Sequence, residues 1–268
     1  MIGHPDKSSA PAAGGSAASP VMSCRTEDPP SVVAEIQELC LASPGRPGPA
    51  ASHSLSCTLR QGDYHVVVGG GSSGKTRLLE ILAGLARPEA GAVRLFGRDT
   101  SALRGDDWME MRRRVGLVFD DGCRLFPQMT VIENVALPVC YHLNQSFEEV
   151  RSFVDPLLDW MGITHLRDQI PGRIGRGWRP RIGLARALTT KPELLLLDNP
   201  LAGLDPDQTS WWLGLLKSLV RGHAWYGGVP VTVLVTASDP APWNGSECLF
   251  TYLHDVNQDP IEPPARQT

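Results

Sequence analysis

The eight residues Gly69-Gly70-Gly71-Ser72-Ser73-Gly74-Lys75-Thr76 match G-x-x-x-x-G-K-[ST], and they constrain the fold more than any other feature of the chain. Such a loop has chemical meaning in one context only: a buried strand must run into it and a helix must start from it. Both flanks are present. The apolar run HVVVGG (65–70) leads in, and a segment carrying Leu78, Leu79, Ile81, Leu82 and Leu85 leads out, stopping before Pro88. In that setting the glycines let successive backbone N–H groups wrap a β-phosphate, and the helix N-terminus adds its positive end. Lys75 becomes the point charge between the β- and γ-phosphates, and Thr76 offers its hydroxyl to Mg²⁺.

A second signal lies far along the chain. Leu194-Leu195-Leu196-Leu197-Asp198 is an apolar strand ending in an acid. At the carboxyl end of a parallel strand beside a phosphate loop, such an aspartate reaches Mg²⁺ through water. The rest of the chain supports that geometry. Short apolar runs at 32–39, 53–59, 92–97, 115–119 and 231–236 read as strands. Thr130 with Glu133 and Ser146 with Glu149 are capping boxes that open helices. In the second of these helices Val150, Phe153, Val154, Leu157, Leu158 and Met161 form one apolar stripe, with Pro156 inside it as an expected kink. Strands alternating with helices predict an α/β fold with a mainly parallel sheet, and the stretch from about 121 to 190 predicts a helical insert.

Composition bounds the function. Lys plus Arg number 25 against 29 Asp plus Glu, a formal net charge of −4, which excludes a nucleic-acid binder that works by bulk positive charge. With 42% hydrophobic and 20% charged residues the chain has the makings of a core. No apolar run approaches the roughly 18 residues that span a bilayer. The six cysteines show neither a C-x-x-C pair nor zinc-ligand spacing, so free thiols in a reducing compartment are expected. The Ala-, Ser-, Pro- and Gly-rich residues 1–30 read as a disordered tail without the apolar stretch of a secretory signal, and 256–268 read as a C-terminal tail. Trp211-Trp212 is expected to pack a helix, and Arg112-Arg113-Arg114 to be a solvated helix end.

Over about residues 31–255 the sequence resembles the nucleotide-binding subunits of ATP-binding cassette (ABC) transporters. The resemblance rests on the phosphate loop, on LLEILAGLARPEAGAVRLFGRD (78–99), VGLVFDDGCRLFPQMTVIENVALP (115–138), RIGLARALTTKPELLLLDNP (181–200) and LAGLDP (201–206). It implies a phosphate-loop NTPase core with an N-terminal antiparallel β part and a helical subdomain, binding ATP with Mg²⁺. It also implies a head-to-tail dimer with a second cassette, ATP lying between one phosphate loop and the other subunit's signature motif. Integral membrane permease subunits would complete the machine, with the chain cytoplasmic and peripheral at the inner face of the cell membrane. No nucleic acid is implied.

The departures from the family pattern matter as much as the match. The usual Gln after the VGLVF strand is Asp120, which either faces Mg²⁺ or caps a turn, and which is the candidate base if hydrolysis is not slow. The signature LSGGQ falls on Ile174-Gly175-Arg176-Gly177-Trp178. The catalytic Glu after Asp198 is Asn199, and the switch histidine aligns with Ser238. The aromatic that stacks on adenine has no candidate in 43–52. Asn199 can orient a water but cannot take its proton, and a missing general base costs about 10²–10⁴ in rate. Ser238 is short for a γ-phosphate contact. Gly175 and Gly177 keep the signature backbone open, Gly175 has lost a hydroxyl, and Arg176 replaces it with a charge or points to solvent.

The implied function is the ATP-binding engine of a transporter with slow hydrolysis. GCRLF followed by ENVALP (122–138) resembles the importers that work with mammalian-cell-entry lipid carriers. A nucleotide-gated scaffold that binds ATP and dimerises without significant hydrolysis is the alternative. A soluble ABC protein of translation or repair would need a second cassette or a coiled-coil insert, for which the chain has no room. The two-sided degradation of its motifs favours a homodimer in which Arg176 of one subunit faces the nucleotide held by Lys75 of the other.

Overall fold

The computed structural model describes residues 30–42, 52–120 and 124–253. The tail readings and the missing adenine-stacking aromatic fall on segments that lie almost wholly outside these residues.

Strands β1 (Val32–Ala42), β2 (Ser52–Arg60), β4 (Ala92–Leu95) and β5 (Arg98–Asp99) form an antiparallel sheet in the order β2-β1-β4-β5. The alternation along β1 is broken by a bulge between Ile36 and Leu39, where Glu38 takes φ 46° and its N–H donates to Ser56 Oγ at 2.9 Å. A second sheet holds β3 (Tyr64–Gly69), β6 (Val115–Val118), β7 (Leu194–Asp198), β8 (Thr232–Ala237) and β9 (Leu249–Leu253). Its order is β6-β7-β8-β3-β9 and every pairing is parallel.

The parallel strands read as continuous apolar runs because both faces of the sheet are covered. Alternate residues point opposite ways. On one face Tyr64, Val66, Val68, Leu195, Leu197, Val233 and Val235 join a core under the helices. On the other, Val67, Leu194, Leu196 and Leu234 join a second core with α1 (Lys75–Leu82) and the antiparallel sheet.

The capping boxes hold. Thr130 N–H donates to the Glu133 carboxylate at 2.7 Å at the start of α3 (Val131–Leu143). Ser146 N–H does the same to Glu149 at 2.6 Å before α4 (Phe147–Trp160). The helical assignment of α4 runs unbroken through the exposed Pro156; facing solvent, its ring removes one backbone donor without disturbing the buried stripe. After three short 3-10 turns, α5 (Arg179–Leu188) packs against both α3 and β6, so it joins the helical part to the sheet.

In the arginine triplet closing α2 (Gly105–Arg113), Arg112 and Arg113 are exposed, as a solvated helix end requires, and Arg114 is partly buried. Arg112 donates to Gly84 O at 2.8 Å. Arg114 forms a two-pronged pair with Glu193 and lies 3.6 Å over the Phe96 ring. Trp212 of α6 (Pro206–Val220) is fully buried, as packing requires.

Candidate nucleotide site

Parallel pairing brings the carboxyl ends of β3, β7 and β8 to one edge, the place where open α/β sheets bind ligands. Register does the fine placement: Asp198 sits opposite Thr236, and Val68 opposite Ala237. The phosphate loop leaves β3 at that edge and enters α1 through Gly74, the helix N-cap, at φ 84°. A side chain at Gly74 would be strained by that φ and would also meet Leu41 Cβ at 2.9 Å. At Gly69 a Cβ would come within 2.5 Å of Ser73 Oγ and 2.9 Å of Leu253 O. Glycine is therefore required at both ends of the loop, and the antiparallel sheet presses directly on it. Gly71 and Ser72 stand exposed at the loop's crest, where a Cβ on Gly71 would meet open space.

Lys75 is 8% exposed, and its Nζ donates to Gly69 O and Gly70 O, both at 2.5 Å. Ser73 Oγ donates to Gly70 O at 2.9 Å. The ammonium is thus held inside the curl of the loop, as phosphate recognition requires. Thr76 Oγ1 donates to Asp198 Oδ2 at 2.9 Å, joining two of the groups that the sequence assigns to the metal. The other oxygen, Asp198 Oδ1, accepts from the Thr236 hydroxyl at 2.7 Å. Thr236, fully buried on β8, is a site residue that the sequence reading did not single out. Its signal was there: a hydroxyl at the end of the apolar run VTVLVT.

Asn199 follows Asp198 with φ 45°, a left-handed conformation that Asn tolerates better than most residues. Its N–H donates to Thr236 O at 3.0 Å and lies 3.1 Å from Thr236 Oγ1. Its side-chain Nδ2 points to Asp120 Oδ2 at 3.5 Å, the long limit of a hydrogen bond. Asp120 is therefore beside Asn199 at the end of β6, and exposed. Ser238 lies one residue beyond β8 and is exposed.

The signature positions lie on a 3-10 turn, Arg176–Trp178, entered from Gly175 and running into α5. Gly175 and Arg176 are exposed. Gly177 packs on Gln208 so closely that a Cβ would approach Gln208 Nε2 to 2.8 Å. Arg176, Gly177 and Arg179 share a cleft of about 490 Å³ with Asp120, Ala202 and Gly203. The fold brings Asp120 and the signature segment to one cavity. Beside it, the Arg181 guanidinium lies 4.9 Å from the Trp178 ring and 3.7 Å from that of Trp211. Burial lowers the Arg181 pKa from its ordinary value.

These residues fit a nucleoside triphosphate with Mg²⁺. The loop is pinned by glycine at its two ends, Gly69 and Gly74, its ammonium is enclosed, and a hydroxyl and a carboxylate already meet at 2.9 Å. Among the described residues no cluster of three or more His, Cys, Asp or Glu is built to hold a metal. Thr76 and Asp198 would hold a divalent ion together with oxygens of the nucleotide itself.

Comparison with known proteins agrees with this geometry. Residues 52–202 match the family described as ABC transporter. A methionine import ATP-binding protein of Cupriavidus metallidurans is 37% identical over 188 residues, 70% of this chain and 54% of its own length. One from Acinetobacter baylyi is 33% identical over 169 residues, 63% of this chain and 47% of its own. The chain spans about half the length of the curated relatives it matches. The dimeric structure of MJ0796, a bacterial ABC transporter cassette, superposes with a TM-score of 0.72 at 26% identity, over 83% of this chain and 95% of that one. The same cassette as a post-hydrolysis dimer bound to ADP and Pi gives 0.71 at the same identity and coverage. A match across more than half of the chain, over the segment that builds both the phosphate loop and the Asp198 strand, makes this chain a member of the ABC transporter family.

Proposed function

We propose that the chain is the ATP-binding subunit of a membrane transporter, that it works as a two-fold dimer of cassettes with separate integral membrane subunits, and that it hydrolyses MgATP slowly. The observation that carries the proposal is the set Lys75, Thr76 and Asp198, brought together at the edge of the parallel sheet with Asn199 as the next residue. Bound MgATP supplies the γ-phosphoryl group and the metal that screens its charge. The chain's own residues do the rest. Lys75 and the loop N–H groups fix the phosphates, while Thr76 and Asp198 orient the metal side. Asn199 orients a water through its amide but cannot itself take the proton. Among the described residues no helix is long and apolar enough to cross a membrane, which fits a peripheral position at the inner membrane face.

The relatives named above carry methionine import in their names, which favours a small polar solute over the lipid that the GCRLF–ENVALP wording suggested. Arg176 belongs to the same proposal. Exposed on the cleft of the signature segment, it suits the γ-phosphate of a nucleotide held by the facing subunit. A nucleotide-gated scaffold is the second reading, and Asn199 favours it.

One experiment separates these readings. MgATP titration should give saturable binding that Lys75→Ala weakens at least 100-fold. Steady-state turnover should lie about 10²–10⁴ below that of a cassette with Glu at the Asn199 position. Binding indifferent to Lys75→Ala overturns the site, rapid turnover overturns the slow step, and binding with no turnover leaves the scaffold. Capture of an integral membrane protein with the chain from solubilised membranes tests the transporter assignment.

A further inference from the structure

Helix α6 turns two side chains of one face, Gln208 and Trp211, towards the signature turn, since residues at i and i+3 are neighbours on a helix surface. Gln208 lies under Gly177: a Cβ on that glycine would approach Gln208 Nε2 to 2.8 Å and Oε1 to 3.1 Å. Gln208 Oε1 is buried and has no hydrogen-bond partner, so shape rather than bonding holds the two together. The backbone N–H of Gln208 is already given to Asp205 Oδ1 at 2.8 Å, the cap of α6.

Trp211 reaches the same segment through Arg181. Its neighbour Trp212 is fully buried, whereas Trp211 is partly buried and turns its ring to the Arg181 guanidinium, 3.7 Å from the ring centroid. The same guanidinium lies 4.9 Å from the Trp178 ring, which meets His165 edge-on at 5.1 Å. A cation of the signature segment is thus shared between one ring of that segment and one ring of α6. A planar guanidinium stacks on aromatic faces where an ammonium does not, and it gains more from them when partly desolvated. The turn itself is short. Trp178 N–H donates to Gly175 O at 3.1 Å, and Arg179 N–H bonds Arg176 O. Such 3-10 bonds have poor geometry, so the turn depends on what packs against it.

We propose that Gln208 and Trp211 are positioning residues for the signature turn: Gln208 fills the space beneath Gly177, Trp211 clasps Arg181, and together they fix the direction in which Arg176 leaves the turn. This role rests on the reading of Arg176 as the group that meets a nucleotide held by the facing subunit. Neither Gln208 nor Trp211 lines the cleft that holds Arg176, so both act through their neighbours. Ala202, Gly203 and Leu204, which do line it, lie between Asn199 and the cap of α6. The helix therefore ties the turn to the strand end that carries Asp198 and Asn199.

Hydrogen exchange of the full chain without nucleotide, read by mass spectrometry over residues 175–182, tests the positioning directly. Trp211→Leu and Gln208→Ala should each speed exchange of the Trp178 and Arg179 amides about 10-fold or more, while β3 and β7 exchange as in the parent. Trp211→Phe and Gln208→Met should stay within about 2-fold of the parent, because one keeps a ring on Arg181 and the other keeps the bulk under Gly177. In Trp211→Leu, MgATP binding to the monomer should be as in the parent and MgATP-driven dimerisation about 10-fold weaker. Unchanged exchange at 175–182, a rise spread evenly over the chain, or a loosened turn with full dimerisation each overturns the proposal. A parent that does not dimerise with MgATP overturns instead the two-subunit reading, and the exchange of its turn still decides whether α6 holds it.

Discussion

Asn199 Nδ2 faces Asp120 Oδ2 at 3.5 Å across the ends of β7 and β6. The resemblance would place a glutamate at 199 and a glutamine at 120, and here the side chains lie at the long limit of a hydrogen bond. An amide beside a carboxylate is a compatible pair, whereas two carboxylates there would repel. A change at either position is therefore expected to act on the other.

This coupling predicts how hydrolysis can be raised. Asn199→Glu alone should increase phosphate release only modestly, because the new carboxylate meets Asp120 and because Glu in a left-handed conformation costs about 1 kcal/mol. Asp120→Asn combined with Asn199→Glu should raise steady-state turnover by roughly 10²-fold. If the pair gains no more than the single change, the two positions are not coupled.

Thr236 is predicted to matter for both stability and metal. Its hydroxyl donates to Asp198 and sits against the Asn199 N–H, fully buried. Thr236→Val removes these bonds at nearly constant volume and should cost about 1–3 kcal/mol in urea unfolding. It should also weaken Mg²⁺-dependent nucleotide binding more than binding without metal, since Asp198 loses its anchor. A loss of stability with unchanged metal dependence would confine Thr236 to the core.

Arg176 bears on the proposed dimer. Arg176→Ala should weaken MgATP-driven dimerisation about 10-fold or more in analytical ultracentrifugation while leaving nucleotide binding to the monomer nearly unchanged. Dimerisation equal to the parent's would make it an ordinary surface arginine.

His65 gives a pH dependence. It lies on β3, 6% exposed, with Nε2 2.7 Å from Thr251 Oγ1 and Nδ1 buried without a partner. Burial holds its pKa below the ordinary value, against a smaller opposing pull from Asp63. The unfolded chain therefore takes up the proton first, and the contribution of neutral His65 is lost as pH falls from about 6.5 toward the lowered folded value. His65→Gln should flatten the change in unfolding free energy between pH 7.5 and pH 5.5. An unchanged slope would assign the effect to other histidines.

The sequence by itself determined what depends on neighbours in the chain. A phosphate loop is a run of glycines, a lysine and a hydroxyl between a strand and a helix, so Gly69 to Thr76 were legible outright. The capping boxes at Thr130 and Ser146 span three residues each, and the continuous apolar strands announced a parallel sheet covered on both faces. Asp198 was legible because an acid ending an apolar strand gains a metal role when a phosphate loop precedes it in the same chain. What the tertiary structure decided is which side chains meet. Period-two patterning assigns a residue to a face of a strand but does not say which strand lies alongside. Only the β7–β8 register puts Thr236 on Asp198, and only the β6–β7 neighbourhood sets Asp120 against Asn199. The same limit hid Gly177 against Gln208, Arg114 against Glu193, and Arg181 against Trp211. Each of these contacts joins residues far apart in the chain, and their meeting depends on the packing of whole elements, which no local window contains.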